Sequence, residues 1–453
     1  ATTFSVDNSC RFNDDDTAYL DHTHGAVTST RKNTFSFWVK RGLLSSYQYI
    51  ISTKNGTSTN RDGIAFNDSD QIDIRYNAGP SSPIRLTTNR VFRDCSAFYH
   101  IVVAVDTEQS TESNRIKVYV NGTQETSFAT SDYMDEDYDF ALNSKTDQAT
   151  GIGVDGRLNS SYFDGYMAEF VAIDGTQNAV TDFGEFDEDS PTIWKPKNVS
   201  GLTFGNAGFY MNFQTAAELG TDVSGNSNTF TENNLDATDQ AIDTPTNNFC
   251  TMNPLDNEFA EGTFSEGNCK VASSAGNTTW GTATIGLSAG LWYYEVKFPT
   301  GALGGGEHMG IIDQVTTATD KVAYNASGGK NAVWRSGGNL FVDDSDTGDW
   351  AGGGDLWVAD DIMGVFIDLE ANKIYAAING TMSNSGAGED ITAATSTLNG
   401  VYFPIFSDSS AASTTFEFNF GGCSAFALSS AVSDSNNIGN FEFSPNQGGA
   451  SNF

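Results

Sequence analysis

Residues 101–124 read IVVAVDTEQSTESNRIKVYVNGTQ and residues 363–382 read MGVFIDLEANKIYAAINGTM. Each opens on an apolar strand that closes on an aspartate, Asp106 or Asp368. A polar turn follows, then a second apolar strand that runs into Asn-Gly-Thr at 121–123 or 379–381. Within 116–120, Ile116, Val118 and Val120 share one side and Lys117 points to the other. A period of two is what a half-buried strand requires, because successive side chains leave opposite faces of a sheet. Asn followed by Gly tolerates the positive φ of a tight hairpin turn. The two segments predict one hairpin design used twice, once in each half of the chain.

The same period recurs outward from these segments, at 34–40 (TFSFWVK, with Phe35, Phe37 and Val39 on one side), 292–298 (WYYEVKF) and 416–420 (FEFNF). No window of 11 residues holds an i, i+3, i+4, i+7 pattern. Gly, Asn, Asp, Ser and Thr separate the runs, and these residues suit turns and oppose long helices. Short strands with frequent turn signals predict an all-β chain of stacked sheets. Periodicity fades between 214 and 268, where polar residues dominate around Pro245 and Pro254. The expected organisation is a sandwich over 1–213, an irregular connector over 214–268 and a second sandwich with a tail over 269–453. Leu219, Phe230, Leu235 and Phe249 are apolar anchors that would pack the connector onto a neighbouring domain.

Composition excludes several classes of function. The 453 residues carry a formal net charge of -35 and 12% aromatic side chains, so cores can form while most of the surface repels nucleic acid. Residues 1–254 hold 35 acidic and 17 basic side chains and residues 255–453 hold 23 and 6, so neither half is a basic module. No run of 18 apolar residues exists, and the N-terminus lacks a basic then apolar leader; no membrane insertion and no uncleaved signal are expected. The five cysteines, Cys10, Cys95, Cys250, Cys269 and Cys423, form no CxxC, and their plain reading is buried thiols, with a bridge such as Cys10 to Cys95 left open. His22, His24, His100 and His308 offer no zinc spacing.

Catalytic constellations are missing. Glu185, Asp187 and Asp189 alternate in GEFDEDSP, but Pro191 follows and the segment reads as a turn rather than a groove strand. There is no nucleophile elbow and no phosphate loop, so a non-enzymatic protein is expected. Recognition by aromatic rings is the stronger candidate chemistry. Trp334, Trp350 and Trp357 stand among glycine-rich segments, where a ring has fewer reasons to be core, and Tyr47 and Tyr49 are the counterparts in the first half. Asp343, Asp344, Asp346 and Asp349 form an acidic loop that fits a cation motif only loosely, with Gly348 at position six but Gly354 rather than Glu at position twelve. The Asn-x-Ser/Thr triplets at Asn55, Asn121, Asn159, Asn198, Asn277 and Asn379 read as turns.

The first half resembles the laminin-G and pentraxin-like branch of the concanavalin-type sandwiches. The resemblance rests on SCRFNDDDTAYLDHT at 9–23, TFSFWVKRG at 34–42, the 101–124 hairpin and FDGYMAEFVAIDG at 163–175. The second half is similar to a SPRY domain, through WYYEVKFPT at 292–300, MGIID at 309–313, DIMGVFIDLEANKIYAAINGT at 361–381, VYFPIFSDSS at 401–410 and FEFNFGG at 416–422. These resemblances imply two concanavalin-like or jelly-roll sandwiches. They also imply a calcium ion at Asp14, Asp15 and Asp16 of the first loop with Asp164 of a late strand, against the plainer reading that acidic loops are ordinary in a chain with 58 acidic residues.

The pairing, with FGEFDEDSPTIWKPKNVSG at 183–201, GFYMNF at 208–213, LGTDVSGNSNTF at 219–230 and TPTNNFCTMNPL at 244–255, resembles tail-fibre and other structural proteins of marine bacteriophages. That resemblance implies a virion component at the phage tail or capsid surface. Its partners would be other virion proteins, with host surface glycan or protein as a further ligand, and homo-oligomerisation is left open. The leading function is attachment. The alternatives are capsid decoration or tail assembly, and a polysaccharide depolymerase.

Overall fold

Alternating apolar side chains build long strands whose inner faces meet. The computed structural model describes all residues except 1–3, 55–61, 80–81, 158, 257–261, 275–278, 300–304, 314–329, 351–355, 395–399, 411 and 448–453. It divides into two units, Ala1–Asn248 and Phe249–Phe453. Both are antiparallel two-sheet sandwiches, as expected for an all-β chain, and the one α-helix among the described residues is the single turn Glu112–Arg115. None of the described helices is long and apolar enough to cross a membrane.

In the first unit one sheet runs Thr123–Glu125, Ile116–Val120, Tyr99–Asp106, Lys32–Arg41, Gly165–Asp174, Ser9–Phe12 and Gln240–Ala241, and Phe209–Met211 also pairs with Gly165–Asp174. The facing sheet runs Phe128–Ser131, Ser82–Val91, Gln71–Gly79, Gly63–Phe66, Gln48–Lys54, Ala149–Ile152, Tyr19–His22 and Thr231–Asn233. Phe35, Phe37 and Val39 meet Ile50, Ile64 and Ile74 between the sheets, all fully buried.

The outer side of the first sheet is covered too, which period two alone does not predict. Along Lys32–Arg41 every residue after Lys32 is buried. The cover is the later part of the unit. Thr34 donates to the Thr176 carbonyl at 2.8 Å, and Arg11 pairs with Asp239 at 3.3 Å. Lys40 Nζ pairs with Asp243 at 2.8 Å with both side chains 1% exposed. Removing one partner of so deep a pair leaves an uncompensated charge, at a cost of about 3–5 kcal/mol.

The expected boundary at 213 therefore moves. Thr231–Asn233 and Gln240–Ala241 are edge strands of the first sandwich, and Leu219, Phe230 and Leu235 lie in its core. The stretch 214–248 is the outer part of the first unit rather than a separate connector.

In the second unit one sheet runs Thr263–Ser265, Lys270–Ala272, Thr415–Asn419, Leu291–Lys297, Ile362–Asp368, Lys373–Ile378 and Thr381–Met382. The other runs Thr279–Thr282, Phe403–Asp408, Glu307–Ile312, Asn331–Arg335, Asn339–Val342 and Ser345–Asp349. The C-terminal segment packs back on its own unit. Buried Glu295 accepts from the backbone N–H groups of Glu442 at 2.9 Å and Phe443 at 2.8 Å, and the Phe441 ring stands edge-on to Tyr293 at 4.9 Å.

Both Asn-Gly turns form as read. Val120 pairs with Thr123 across Asn121 (φ 47°) and Gly122 (φ 78°), and Ile378 pairs with Thr381 across Asn379 (φ 47°) and Gly380 (φ 75°). Positive φ at both central residues is the twist-matched geometry for a two-residue hairpin. No disulfide joins any of the five cysteines.

Candidate functional site

The aromatic candidates of the second unit are core. Trp334 is 0% exposed, Trp357 1% and Trp350 7%. Trp334 lies inside Asn331–Arg335, opposite Met309 on one side and Leu340 on the other, and packs edge-on against Trp350 at 5.8 Å. Trp357 stacks on Phe298 at 5.2 Å. Gly337 and Gly338 belong to the turn after the Trp334 strand, Gly352–Gly354 lie outside the described residues, and the expected exposed platform is corrected to a tryptophan-rich core. Tyr49 is likewise buried. Tyr47 is half-buried, donates to Asp73 at 2.7 Å and carries the Arg75 guanidinium 4.5 Å from its ring centre.

The acidic candidates separate. Asp343 (φ 48°) and Asp344 (φ 63°) are the two central residues of the turn between Val342 and Ser345. Each acid is engaged locally: Asp343 by Lys330 at 2.5 Å, Asp344 by Asn331 at 2.6 Å, and Asp346 by the Gly348 N–H at 2.8 Å. Asp349 ends Ser345–Asp349, and its side chain lies outside the described residues. In the first unit Asp14 and Asp164 meet by hydrogen bond, and the Asp14 carboxyl is raised by burial and then by Asp15. Asp15 and Asp16 are exposed, and Asp16 accepts from Asn13 at 2.8 Å. Calcium takes six to eight oxygens. Among the described residues no three His, Cys, Asp or Glu side chains converge in a way that would hold a metal ion, so neither acidic group, as far as it is described, brings together the carboxylates the expected ion would need.

A serine and a histidine do meet. His100 Nε2 lies 2.9 Å from Ser36 Oγ, and the Trp194 indole N–H donates to His100 Nδ1 at 2.9 Å. Indole nitrogen can only donate, so Nδ1 must accept and the ring proton sits on Nε2, pointing at the serine. A base for Ser36 needs the opposite tautomer. Burial holds the ring neutral, with its pKa lowered to about 3. The trio fastens the Trp194–Pro196 strand to the sheet and is not a nucleophile.

The group that the first unit places for chemistry is Glu169, which the sequence reading passed over. Ser9–Phe12 pairs with Gly165–Asp174 at Gly165, Tyr166 and Met167, whereas Phe209–Met211 pairs with it at Phe170, Val171 and Ala172. Two short strands thus lie end to end along one long strand, and Glu169 falls at the gap. The register against Lys32–Arg41 also shifts between Ala168 and Val171, and Glu169 has φ 47°. A bulge with a left-handed non-glycine residue is a device that re-aims a side chain, at a conformational cost.

The gap opens as a hollow of about 120 Å³. Phe4, Ser5, Asp7 and Asn8 line one side, Asn212 and Gln214 the other, with Glu169 and Tyr210 between them. The Tyr210 hydroxyl donates to Glu169 Oε2 at 2.6 Å, and Oε1 has no hydrogen-bond partner among the described residues. Glu169 is 6% exposed. Burial, and then Asp7, raise its pKa to about 7, against the lowering effect of Tyr210. A buried carboxyl on a bulge, in a hollow, with a displaced pKa is the pattern of a ligand site. A trace of it exists in the sequence: YMAEFVA places an acid inside a run that is apolar on both faces, and the core residues Met167 and Phe170 are three apart instead of two.

No curated protein matches the chain. Among solved structures it is similar to the SPRY domain of human HERC1, with 16% identity, a TM-score of 0.29 and coverage of 37% of this chain and 96% of that one. It is also similar to the SAP-like pentraxin of Limulus polyphemus, with 14% identity, a TM-score of 0.27 and coverage of 37% and 76%. A third is the CBM40 of the Ruminococcus gnavus IT-sialidase bound to α2,3-sialyllactose, with 15% identity, a TM-score of 0.24 and coverage of 31% and 75%. Residues 14–179, most of the first sandwich, match the family model described as the concanavalin A-like lectin/glucanases superfamily.

Proposed function

We propose that the chain is a non-enzymatic bacteriophage attachment protein whose first sandwich holds a host surface glycan at the Glu169 hollow. The observation that carries the ligand part is the hollow itself, where a buried carboxyl, two carboxamides from 212–214 and a nearby ring offer the acceptors and the apolar face that a sugar uses. The match of residues 14–179 to a lectin-containing superfamily supports the same reading. The virion part is supported by the ordered segments at 183–201, 208–213, 219–230 and 244–255, which resemble structural proteins of marine phages. Binding of the intact chain to host cells and to immobilised host polysaccharide tests it. Binding that falls at least tenfold in Glu169→Gln is expected, and no binding by the intact chain to either would end the adhesin reading.

A second reading, capsid decoration or tail assembly, is favoured by one observation. Phe186 and Ile193 are 45% and 56% exposed beside the Gly184–Phe186 and Trp194–Pro196 hairpin, which suits contact with a neighbouring subunit. Hundreds of copies over the phage head would favour decoration, and a few copies at the tail would favour attachment.

A further inference from the structure

We propose that the hollow beside Glu169 receives a primary ammonium group carried on a sugar, so that amino sugars with a free amine bind there and their N-acetylated counterparts do not. The glycan reading above supplies only the sugar; the ammonium part stands on the hollow. Its lining has two carboxyls, Glu169 and Asp7, and the carboxamides of Asn8, Asn212 and Gln214, and no Lys, Arg or His side chain lines it among the described residues. Tyr210 is committed as a donor to Glu169 Oε2. The other oxygen of a carboxyl that is 6% exposed is left without a partner among the described residues.

An anion would meet two carboxyls of its own sign. A neutral hydroxyl would supply one hydrogen bond and no opposite charge. An ammonium group supplies three donors and the missing positive charge. The size agrees. About 120 Å³ has room for several water molecules, enough for the amine-bearing end of a ring but not for a whole oligosaccharide. Phe4 also lines the hollow and offers a surface against which the ring would rest.

The groups that act on Glu169 are Tyr210, whose hydroxyl favours the charged form, and Asp7, whose charge opposes it. Binding of an ammonium group then prefers the ionised carboxyl, so the affinity of methylammonium, which stays protonated, falls as pH drops from 8 to 5, while that of an amino sugar peaks near pH 7.

The test is calorimetric titration of the intact chain with glucosamine, N-acetylglucosamine and methylammonium chloride at pH 7, where the sugar amine is largely protonated and the carboxyl partly ionised. Glucosamine is expected to bind at least tenfold more tightly than N-acetylglucosamine, and methylammonium to compete with it. Glu169→Gln keeps an acceptor for Tyr210 and is expected to abolish that preference; Asp7→Asn should weaken it less. Should Glu169→Gln fail to fold, carbon NMR of the Glu169 carboxyl in the unaltered chain replaces it, and glucosamine should lower the pH at which that signal titrates. Equal affinity for the two sugars, a preference unchanged in Glu169→Gln, or an unmoved carboxyl titration would each overturn the proposal. Glycan binding that survives Glu169→Gln would remove this site while leaving attachment standing. Ammonium binding without host-cell binding would do the reverse.

Discussion

At the level of single residues, Glu169 and His100 show how burial decides the state of an ionisable group. The His100 ring is surrounded by Trp38, Trp194 and Ser36, and its neutral tautomer is set by the indole proton. Glu169 is held with its pKa raised to about 7 from 4.5, so the folded chain takes up a proton there more readily than the unfolded chain. Its contribution to stability is therefore favourable at low pH and is lost as pH rises from about 4.5 through 7. At ~1.4 kcal/mol per pH unit of displacement, ionising Glu169 costs the fold roughly 3 kcal/mol. Glu169→Gln should melt at the same temperature as the unaltered chain near pH 4.5 and higher above pH 7, where denaturant titration should show the gain. A variant less stable than its parent at pH 8 would mean that the carboxylate has a cationic partner. The sequence shows an acid in an apolar run but not its burial, because the bulge that buries it depends on where two distant segments, 9–12 and 209–211, end.

At the level of elements, local patterns carried the reading where a strand and its turn are contiguous. Both Asn-Gly hairpins and the apolar anchors of 219–235 were legible, since each depends on nearby residues or on apolarity alone. Asn121, Asn159 and Asn379 all have φ 47°, and Asn198 accepts from the Ser200 N–H at 2.9 Å, so these acceptor triplets are turns as read. Asn55 and Asn277 lie outside the described residues. What failed depended on a second layer. The tryptophans read as loop residues because glycines flank them, and the 214–248 stretch reads as a connector because its pairing partners lie some two hundred residues earlier. The two Asn-Gly turns also differ in what covers them. A Cβ on Gly122 would stand 2.3 Å from the Trp194 ring, and one on Gly380 2.6 Å from Phe443. Both glycines have positive φ, so alanine costs about 1 kcal/mol at either from the backbone alone. Trp194 is buried and fixed by His100, whereas Phe443 is half-buried in the terminal segment and can swing aside. Gly122→Ala should therefore lose about 2–3 kcal/mol and Gly380→Ala about 1 kcal/mol by denaturant unfolding. Equal losses would show that the ring contact contributes nothing.

At the level of the whole molecule, charge is the dominant feature. The chain carries -35, shared almost evenly between 1–254 and 255–453, so each sandwich repels itself as well as any anionic partner. Among the described residues, several of the attractive pairs that oppose this are deep. Arg41 with Asp70 is fully buried at 2.9 Å, and Lys40 with Asp243 nearly so. Screening acts on the two sets differently. The Debye length shrinks from about 30 Å at 0.01 M salt to about 3 Å at 1 M, which removes repulsion between exposed carboxylates and leaves buried pairs almost untouched. Sodium chloride should therefore raise the melting temperature of both sandwiches between 0.01 and 0.5 M, by several degrees, with the steepest part below about 0.1 M where the exposed charges first lose sight of one another. Two domains should show it, and calorimetry resolves them as two transitions when their stabilities differ. A melting temperature that is flat or falls over that range would mean that the exposed acids are held by cations at specific positions, and that the surface is organised by bound ions rather than by mutual repulsion.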